Sequence, residues 1–538
     1  MPQLGMLDVE KAVPVSQQIF AMLDQDLSAN AIIWNDQKIS AAMLKHRAKA
    51  VAAGLTALGL KKGDRVVYLG QNNPAIIELL LGAAIARAVL TPISWRLTVV
   101  EAQAVINDSR AKLVVVGKEF ANHLQSSDDC HVLLLNDYVT GTPQEDDYAA
   151  WRNSYSGDGV VVQPLGVSEP EDIFVQLYTS GTTGLPKGVP QSHRNHLSTV
   201  AQWRDCGYGE WSRSDIVLCS LPMFHTSGLN LCLTALLSGA TLIIHAAVDP
   251  DAILNDIARY HVTRFAAVPT LLLVLSQKVE VGRQDVSSIA EIAYGGSSIS
   301  PELLARVRSV FGCNFVQIYA STETTGALTI LTPEDHLNQA AGSCGRLSDM
   351  AEMKLVDPKG QMVTVGEVGE IWVRSESVVN GYWNNEQATR ESFSDGWYHT
   401  GDLALQDQSG YVHIVDRSKD MIVTGGENVY PAELERLLNA YGALKEFSVI
   451  ASPHDVWGEA VTIAVAGAND QIPDLEDVRA YLMPSVARYK LPLRLVQVLS
   501  MPRNAMGKIL KRELRDQIRN GQYTSEQNYV GGYGVQKP

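Results

Sequence analysis

The stretch "YTSGTTGLPKGV", residues 178–189, decides how the chain is read. Gly181, Gly184 and Gly188 bare the backbone, while Thr179, Ser180, Thr182 and Thr183 crowd it with hydroxyls. Glycines let successive N–H groups converge, and Ser/Thr hydroxyls add donors, so such a loop can wrap an oligophosphate. The same composition also suits an ordinary flexible loop. The P-loop pattern G-x-x-x-x-G-K-[ST] is not met, because Lys187 follows Pro186, no Ser or Thr comes after it, and the glycine spacing differs. A kinase or ATPase loop of that kind is therefore excluded, and the flanking chain must say what is bound.

On both sides of this loop, apolar runs of strand length alternate with helical patterns. "RVVYLG" precedes a helix over Ala75–Arg87, and "AKLVVVG" follows another near Glu101–Asn107. Beyond the loop come "DIVLCSL", a helical "LNLCLTALLSG", "ATLIIHA", a helix from Asp249 and "TRFAAV". A helix started by Pro269, then "IAEIAYGG", a helix started by Pro301 and "NFVQIYA" complete the series. Strand–helix alternation predicts layered parallel α/β structure, in which ligands sit beyond the carboxyl ends of the strands. The Gly/Ser/Thr loops fall there. From about Gly345 the texture turns to short strands with Gly turns, which reads as antiparallel sheet or a small barrel. Past Arg417 a compact α+β pattern follows, with a helix from Pro431, strands near Phe447 and Val461, and a helix from Asp474. The fold class expected is α/β: a large N-terminal domain (1–416) of layered α/β subdomains plus a small β-barrel, and a small mobile α+β domain (417–520). The end, residues 521–538, lacks a core pattern and is expected to be disordered.

Length and charge narrow the function. A chain of 538 residues exceeds a single core, and 46% hydrophobic with 19% charged residues describes a globular protein. A net charge of −15 argues against nucleic acid or an anionic membrane as the main partner. The acidity is uneven: from Arg479 to Arg519 ten basic side chains face only Glu513 and Asp516, either a solvated helix face or a lobe that visits phosphates. Six scattered cysteines without a C-x-x-C pair suggest reduced thiols in a cytoplasmic enzyme and no structural zinc. The N-terminal residues show no signal-peptide h-region. "AIIELLLGAAIARAVLTPI", broken by Glu78, Arg87 and Pro92, reads as a buried helix leading into a strand, not as a membrane span.

Four further motifs follow the opening loop in order: "YASTETTG" (319–326), "YHTGD" (398–402), "DRSKDMIVTGGENVYPAELE" (416–435) and "PRNAMGKILKREL" (502–514). Together, over roughly Asn30 to Arg519, the chain resembles the adenylate-forming superfamily of acyl-CoA synthetases, firefly-type luciferases and peptide-synthetase adenylation domains. The resemblance implies ATP, Mg2+ and coenzyme A as ligands beside a carboxylic acid substrate. It places Thr179, Ser180, Gly181, Thr182, Thr183 and Gly184 around the β- and γ-phosphates, with Lys187 in support. It stacks Tyr319 on adenine beside the turn Gly295, Gly296 and Ser297, and gives the α-phosphate to Thr322. Glu323 becomes the Mg2+ ligand, a hard carboxylate oxygen suited to a hard cation; a Ser/Thr followed by Glu is otherwise a common helix start. Ala320 stands where the family usually has glycine, which narrows the space beside the acyl–phosphate junction. Asp402 would grip the ribose hydroxyls with Arg417 nearby, although Asp after Gly is also an ordinary turn residue.

Lys508 is the expected catalytic cation, because carboxylate attack on the α-phosphate brings two anions together and a mobile ammonium can neutralise them. Lys419 would mark the hinge on which the small domain rotates. Gly426 would line the tunnel for the pantetheine arm of CoA, or else simply permit a turn with positive φ. Amino-acid-adenylating domains usually carry Asp in an "FDxS"-like stretch, whereas here "MFHTSG" puts His225 at that point. No counter-ion for an amine is evident, and no carrier domain is expected. By analogy His225 gates an acyl site with Thr226, Gly228, Leu229, Tyr294 and Ala320 nearby. The expected activity is AMP-forming ligation of a fatty, cyclic or aryl carboxylic acid to CoA. A stand-alone adenylating enzyme or a luciferase-like oxygenase is the alternative on the same scaffold, and an ATP-dependent kinase the alternative from another class. Assembly stays open, a homodimer being one option.

Overall fold

A computed structural model describes residues 13–124, 130–136, 147–157, 168–179, 186–282, 284–297, 299–338, 342–467, 472–503 and 509–529. The chain divides into two compact units, one of residues 1–353 with 372–399, the other of 354–371 with 400–538. The fold is mixed α/β, as the alternating pattern predicts.

The first unit holds two large sheets. One has six strands in the order His131–Leu135, Leu113–Gly117, Arg65–Leu69, Val89–Ile93, Ile173–Thr179, Lys187–Ser192. Its central members, Arg65–Leu69, Val89–Ile93 and Leu113–Gly117, are buried at every residue, as continuous apolar runs in a parallel sheet covered on both faces must be. The other has nine strands: Arg346–Leu347, Gly326–Leu331, Asn314–Ser321, Glu291–Gly295, Arg264–Ala267, Ile216–Cys219, Thr241–Ile244, Asn30–Trp34 and Gln37–Ser40. Helices Ala41–Ala57, Pro74–Ile85 and Thr226–Ser238 contribute to one apolar core, while Pro250–Tyr260, Pro269–Gly282 and Pro301–Phe311 contribute to a second.

Local chemistry starts these helices where the sequence says. Asn73 caps Pro74–Ile85 through a 2.9 Å bond from the Ala75 N–H, with Pro74 in the first turn, where its missing N–H costs nothing. Only then does the chain turn, with Arg87 in the left-handed region (φ 53°), into the strand Val89–Ile93. The hydrophobic stretch is thus one buried helix and one strand. Among the described residues no helix is long and apolar enough to cross a membrane.

The second unit contains the strands of residues 400–417 and a six-stranded sheet ordered Glu427–Val429, Ile422–Thr424, Gly458–Ala466, Arg494–Val498, Ser525–Asn528, with Phe447–His454 also paired to Gly458–Ala466. Its core is Ile422, Val449, Val461, Ile463 and Leu495 with Leu434 and Leu438 of the helix Pro431–Tyr441. One expectation is corrected here. Residues 525–528, assigned to a disordered tail, form an edge strand in which Leu495 pairs with Gln527 and Val496 with Glu526. The segment lacks apolar alternation because its order comes from backbone pairing and from Glu526, which accepts from Arg494 Nε at 2.8 Å.

Candidate active site

Antiparallel strands flank the opening stretch: Thr179 ends one and pairs with Lys187 at the start of the other. Ser180, Gly181, Thr182, Thr183 and Gly184 lie outside the described residues, as does Lys508. The glycine after Lys187 is required by packing: a Cβ on Gly188 would stand 2.8 Å from Gln176 Nε2 and 3.0 Å from Trp383 Cβ.

Lys187 and Glu323 meet through a residue that the sequence reading missed. The Lys187 ammonium lies 4.7 Å from the centre of the Tyr382 ring, and the Tyr382 hydroxyl donates to Glu323 Oε1 at 2.8 Å. One phenol thus offers its face to a cation and its proton to a carboxylate. Burial and the Glu323 charge push that phenol well above its ordinary pKa, so it stays a donor. Next along the chain, Trp383 donates its backbone N–H to Gly188 O at 2.8 Å and carries the Arg65 guanidinium 3.5 Å from its ring centre. Tyr382 and Trp383 thus tie the strand that starts at Lys187 to the "YASTETTG" turn.

"YASTETTG" is not a helix start. Asn314–Ser321 and Gly326–Leu331 are antiparallel strands, Ser321 opposite Gly326, and residues 322–325 are the turn between them. Ser321 and Thr324 close it reciprocally, with Thr324 N to Ser321 Oγ at 3.2 Å and Ser321 N to Thr324 Oγ1 at 3.1 Å. Thr325 takes the left-handed region at φ 59°, uncommon for a β-branched residue, and Asn230 Nδ2 holds its carbonyl at 2.7 Å. Gln191, fully buried, donates to Thr322 O at 2.8 Å. Both amides pin the turn, and neither residue was singled out in the sequence. The turn presents the Thr322 side chain half-buried and Glu323 buried, and Tyr319 lies half-buried on the preceding strand. At the neighbouring strand end, Gly295 is forced: a Cβ there would lie 2.4 Å from Ile318 O. Gly296 follows with φ 80° and Ser297 is exposed, so this turn hugs the Tyr319 strand.

His225 precedes the helix Thr226–Ser238 with its Nε2 buried and without a hydrogen-bond partner among the described residues. Burial, with a smaller contribution from the Arg96 charge, pulls its pKa down to about 4, so the ring is neutral at pH 7. Gly228 is required where it stands, since a Cβ would meet Pro222 O at 2.4 Å. Thr226 and Leu229 are buried on the same helix and Ala320 is exposed on its strand. Tyr294, expected near the acyl site, packs into the second core. Its hydroxyl is 2.9 Å from His336 Nε2, and its ring packs with Ile292 and Phe315 in the second core, while Ala293 packs in the first. Strand alternation sends Ala293 and Tyr294 to opposite faces of the sheet.

In the second unit, Asp402 is buried opposite Arg417, with which it shares a strand register and an ion pair at 2.5 Å. Asp416 accepts from the backbone N–H of Ala432 at 2.8 Å, at the start of the helix Pro431–Tyr441, and Asp420 pairs with Arg515 at 3.1 Å. Lys419 lies between these anchors, and burial lowers its pKa. Gly425 and Gly426, at φ 60° and 87°, form the two-residue turn of a tight hairpin in which Thr424 pairs with Glu427. A Cβ on Gly425 would strike Trp457 at 2.8 Å, whereas one on Gly426 meets nothing within 4 Å. The basic end is not a freely solvated face: Lys490 pairs with Glu433, Arg494 with Glu526, Arg503 with Glu446 and Lys511 with Glu435.

Comparison with known proteins gives the family of the chain that carries this site. The sequence profile of the family described as AMP-binding enzyme matches residues 22–383, and the chain belongs to that family. It is 34% identical over 501 residues to the fatty acid–acyl-carrier-protein ligase ScoC of Streptomyces coeruleorubidus, covering 91% of this chain and 93% of that one. Against the feruloyl-CoA synthase of an Amycolatopsis species it is 34% identical, with coverages of 90% and 95%. Among solved structures, the Bacillus subtilis o-succinylbenzoate CoA synthetase MenE with ATP and magnesium superposes with a TM-score of 0.79 at 27% identity, covering 93% of this chain and 99% of that one. The protein is an ATP-dependent, AMP-forming acyl-CoA synthetase that uses ATP with Mg2+ and CoA.

Proposed function

We propose that the acid activated is a largely apolar one, fatty, cyclic or aryl, and that the roles assigned by motif hold residue by residue. The observation that carries the phosphate end is the Lys187–Tyr382–Glu323 chain, which sets a buried carboxylate beside the strand that bears the Ser/Thr/Gly loop. Only one Glu323 oxygen is engaged by Tyr382, and no cluster of three or more His, Cys, Asp or Glu occurs among the described residues. That donor set suits Mg2+, which binds through one or two carboxylates together with substrate phosphates and water, and which would supply charge neutralisation there. On this reading Thr322 donates to the α-phosphate, the hydroxyls of Thr179, Ser180, Thr182 and Thr183 donate to the terminal phosphates, and Tyr319 covers adenine.

The acid's carboxylate oxygen attacks the α-phosphorus as the bond to pyrophosphate breaks. Lys508 neutralises the charge that gathers. The small domain, residues 417–520, turns about Lys419, and the CoA sulfur then attacks the acyl carbon while the carbon–oxygen bond to AMP breaks. Asp402 and Arg417 hold the ribose, and Gly426 flanks the CoA arm. For the acid, support comes from His225, neutral at pH 7, at the start of the mostly buried helix Thr226–Ser238, which carries no acidic residue to hold an ammonium. Relatives named for fatty acids and for ferulate agree with that character. Six free cysteines support a cytoplasmic location, and assembly is proposed as a homodimer, which light scattering would report as twice the 58.6 kDa chain mass. The test is pyrophosphate release with MgATP across a panel of acids. Apolar acids should be active, whereas activity confined to amino acids or acetate would refute the acid assignment.

A further inference from the structure

His225 owes its place to the loop 220–225, which is neither helix nor strand and joins the strand Ile216–Cys219 to the helix Thr226–Ser238. Inside it the His225 N–H donates to Pro222 O at 3.2 Å, which makes residues 222–225 a turn with Met223 and Phe224 in the middle. The buried Phe224 ring and the His225 ring have their centres 4.6 Å apart. A Cβ on Gly228 would collide with Pro222 O, so the start of the helix packs directly on the same turn. Whatever fixes this turn fixes His225.

One side chain from the other large sheet does so. Asn72, 4% exposed, lies between the strand Arg65–Leu69 of the six-stranded sheet and the helix Pro74–Ile85. Its Oδ1 accepts from the Met223 N–H at 2.8 Å, and its Nδ2 donates to Leu221 O at 2.9 Å and to His245 O at 3.1 Å. The amide thus grips the loop on both sides of Pro222 and ties it to the residue that follows the strand Thr241–Ile244. Its own backbone is held as well. The Asn72 N–H donates to Ala246 O at 3.1 Å, the Tyr68 hydroxyl donates to Gln71 O at 2.7 Å, and Asn73 caps the helix that follows. Among short side chains only the Asn amide offers one acceptor and two donors to three backbone groups at once. Backbone groups stripped of these partners in a buried place carry a desolvation cost, and the loop would shift to recover others.

We infer that Asn72 is a positioning residue for acid recognition: it holds the loop that presents His225, and so sets the affinity for the acid and not for MgATP. This rests on the placement of the acid beside His225. Asn73 supplies the control, since its bond to the Ala75 N–H stabilises the helix and does not reach the loop. The full chain, labelled with carbon-13 at histidine Cε1, is titrated by NMR as wild type, Asn72→Ser, Asn72→Asp, Asn73→Ala and His225→Ala. The signal missing from His225→Ala identifies that ring. Burial and the Arg96 charge hold it at about 4 in the wild type. In both Asn72 variants it should titrate closer to the ordinary value of about 6.5, and in Asn73→Ala as in the wild type. Kinetics then use the fastest acid of a panel that contains octanoate and cinnamate. Its KM should rise about tenfold in both Asn72 variants and in His225→Ala, with the KM for MgATP near wild type. Asn73→Ala should melt lower, as loss of a cap dictates, at an unchanged KM for the acid. Asn72→Asp keeps the shape and the acceptor for Met223, and Asn72→Ser avoids a buried charge, so either serves if the other fails to fold. Suppose that His225→Ala raises the KM for the acid while the Asn72 variants stay at the Asn73→Ala value, or rise with no change at the His225 ring. Either result would overturn the role of Asn72 alone. A KM for the acid untouched in His225→Ala would overturn the placement of the acid at this loop, and the inference with it.

Discussion

Gly426 separates a turn residue from a tunnel residue, because the structure makes the two roles distinguishable. Its φ of 87° strains any L-residue, and a Cβ built on it meets no atom within 4 Å. Ala and Leu therefore suffer the same backbone penalty, about 1–2 kcal/mol for the left-handed region, and neither adds a clash at Cβ. Against a typical total stability of roughly 5–15 kcal/mol, both variants should fold, melting a few degrees lower and by the same amount. What differs is bulk beyond Cβ. If Gly426 flanks the CoA arm, Gly426→Leu should form thioester from supplied acyl-adenylate at least about tenfold more slowly than Gly426→Ala, about 1.4 kcal/mol in barrier. Acid-dependent ATP–pyrophosphate exchange should be near wild type in both. Equal thioester rates in the two variants, with equal loss of melting temperature, would leave Gly426 as a hairpin residue and refute the tunnel role. Gly425→Ala is the contrasting control: its Cβ would strike Trp457, so it should destabilise more than Gly426→Ala.

Lys508→Ala should lose on the order of 10²–10³ in acid-dependent pyrophosphate exchange yet still convert supplied acyl-adenylate to thioester, and equal loss of both half-reactions would count against it. Tyr382→Phe keeps the ring under Lys187 but removes the donor to Glu323; the KM for MgATP should rise about tenfold, and an unchanged KM would detach Tyr382 from the phosphate site. Burial lowers the pKa of His193 and His225 to about 4 and of His196 to about 3, against about 6.5 in the unfolded chain. The unfolded state then binds more protons between about pH 6.5 and 4, so stability is full above that window and falls as pH drops through it, by up to about 1.4 kcal/mol per unit per histidine. His225→Asn should shallow that fall in melting temperature, and a melting temperature flat from pH 7.5 to 5 would contradict the burial of all three.

What the sequence made legible was whatever rests on local pattern. The apolar runs at 65–69, 89–93 and 113–117 and the Pro-started helices at 269, 301 and 431 appear as elements where expected. Contacts between distant segments left no such mark. Tyr382 and Trp383 lie about two hundred residues from the loop strand that they hold, and Gln191 and Asn230 act by single side-chain bonds to backbone carbonyls of the 322–325 turn. The strand face of Tyr294 follows from register, which a lone aromatic does not reveal. The 525–528 strand is an edge held by backbone pairing and one ion pair, and "SEQN" offers no hydrophobic alternation to detect.

The central claim is carboxylate activation through an adenylate, and product analysis tests it most directly. The purified chain should be incubated with MgATP, CoA and an apolar acid labelled with oxygen-18 in its carboxylate. Attack on the α-phosphorus predicts AMP carrying one labelled oxygen, one pyrophosphate per thioester, and no ADP. Formation of ADP with label in inorganic phosphate, or of unlabelled AMP, would contradict it.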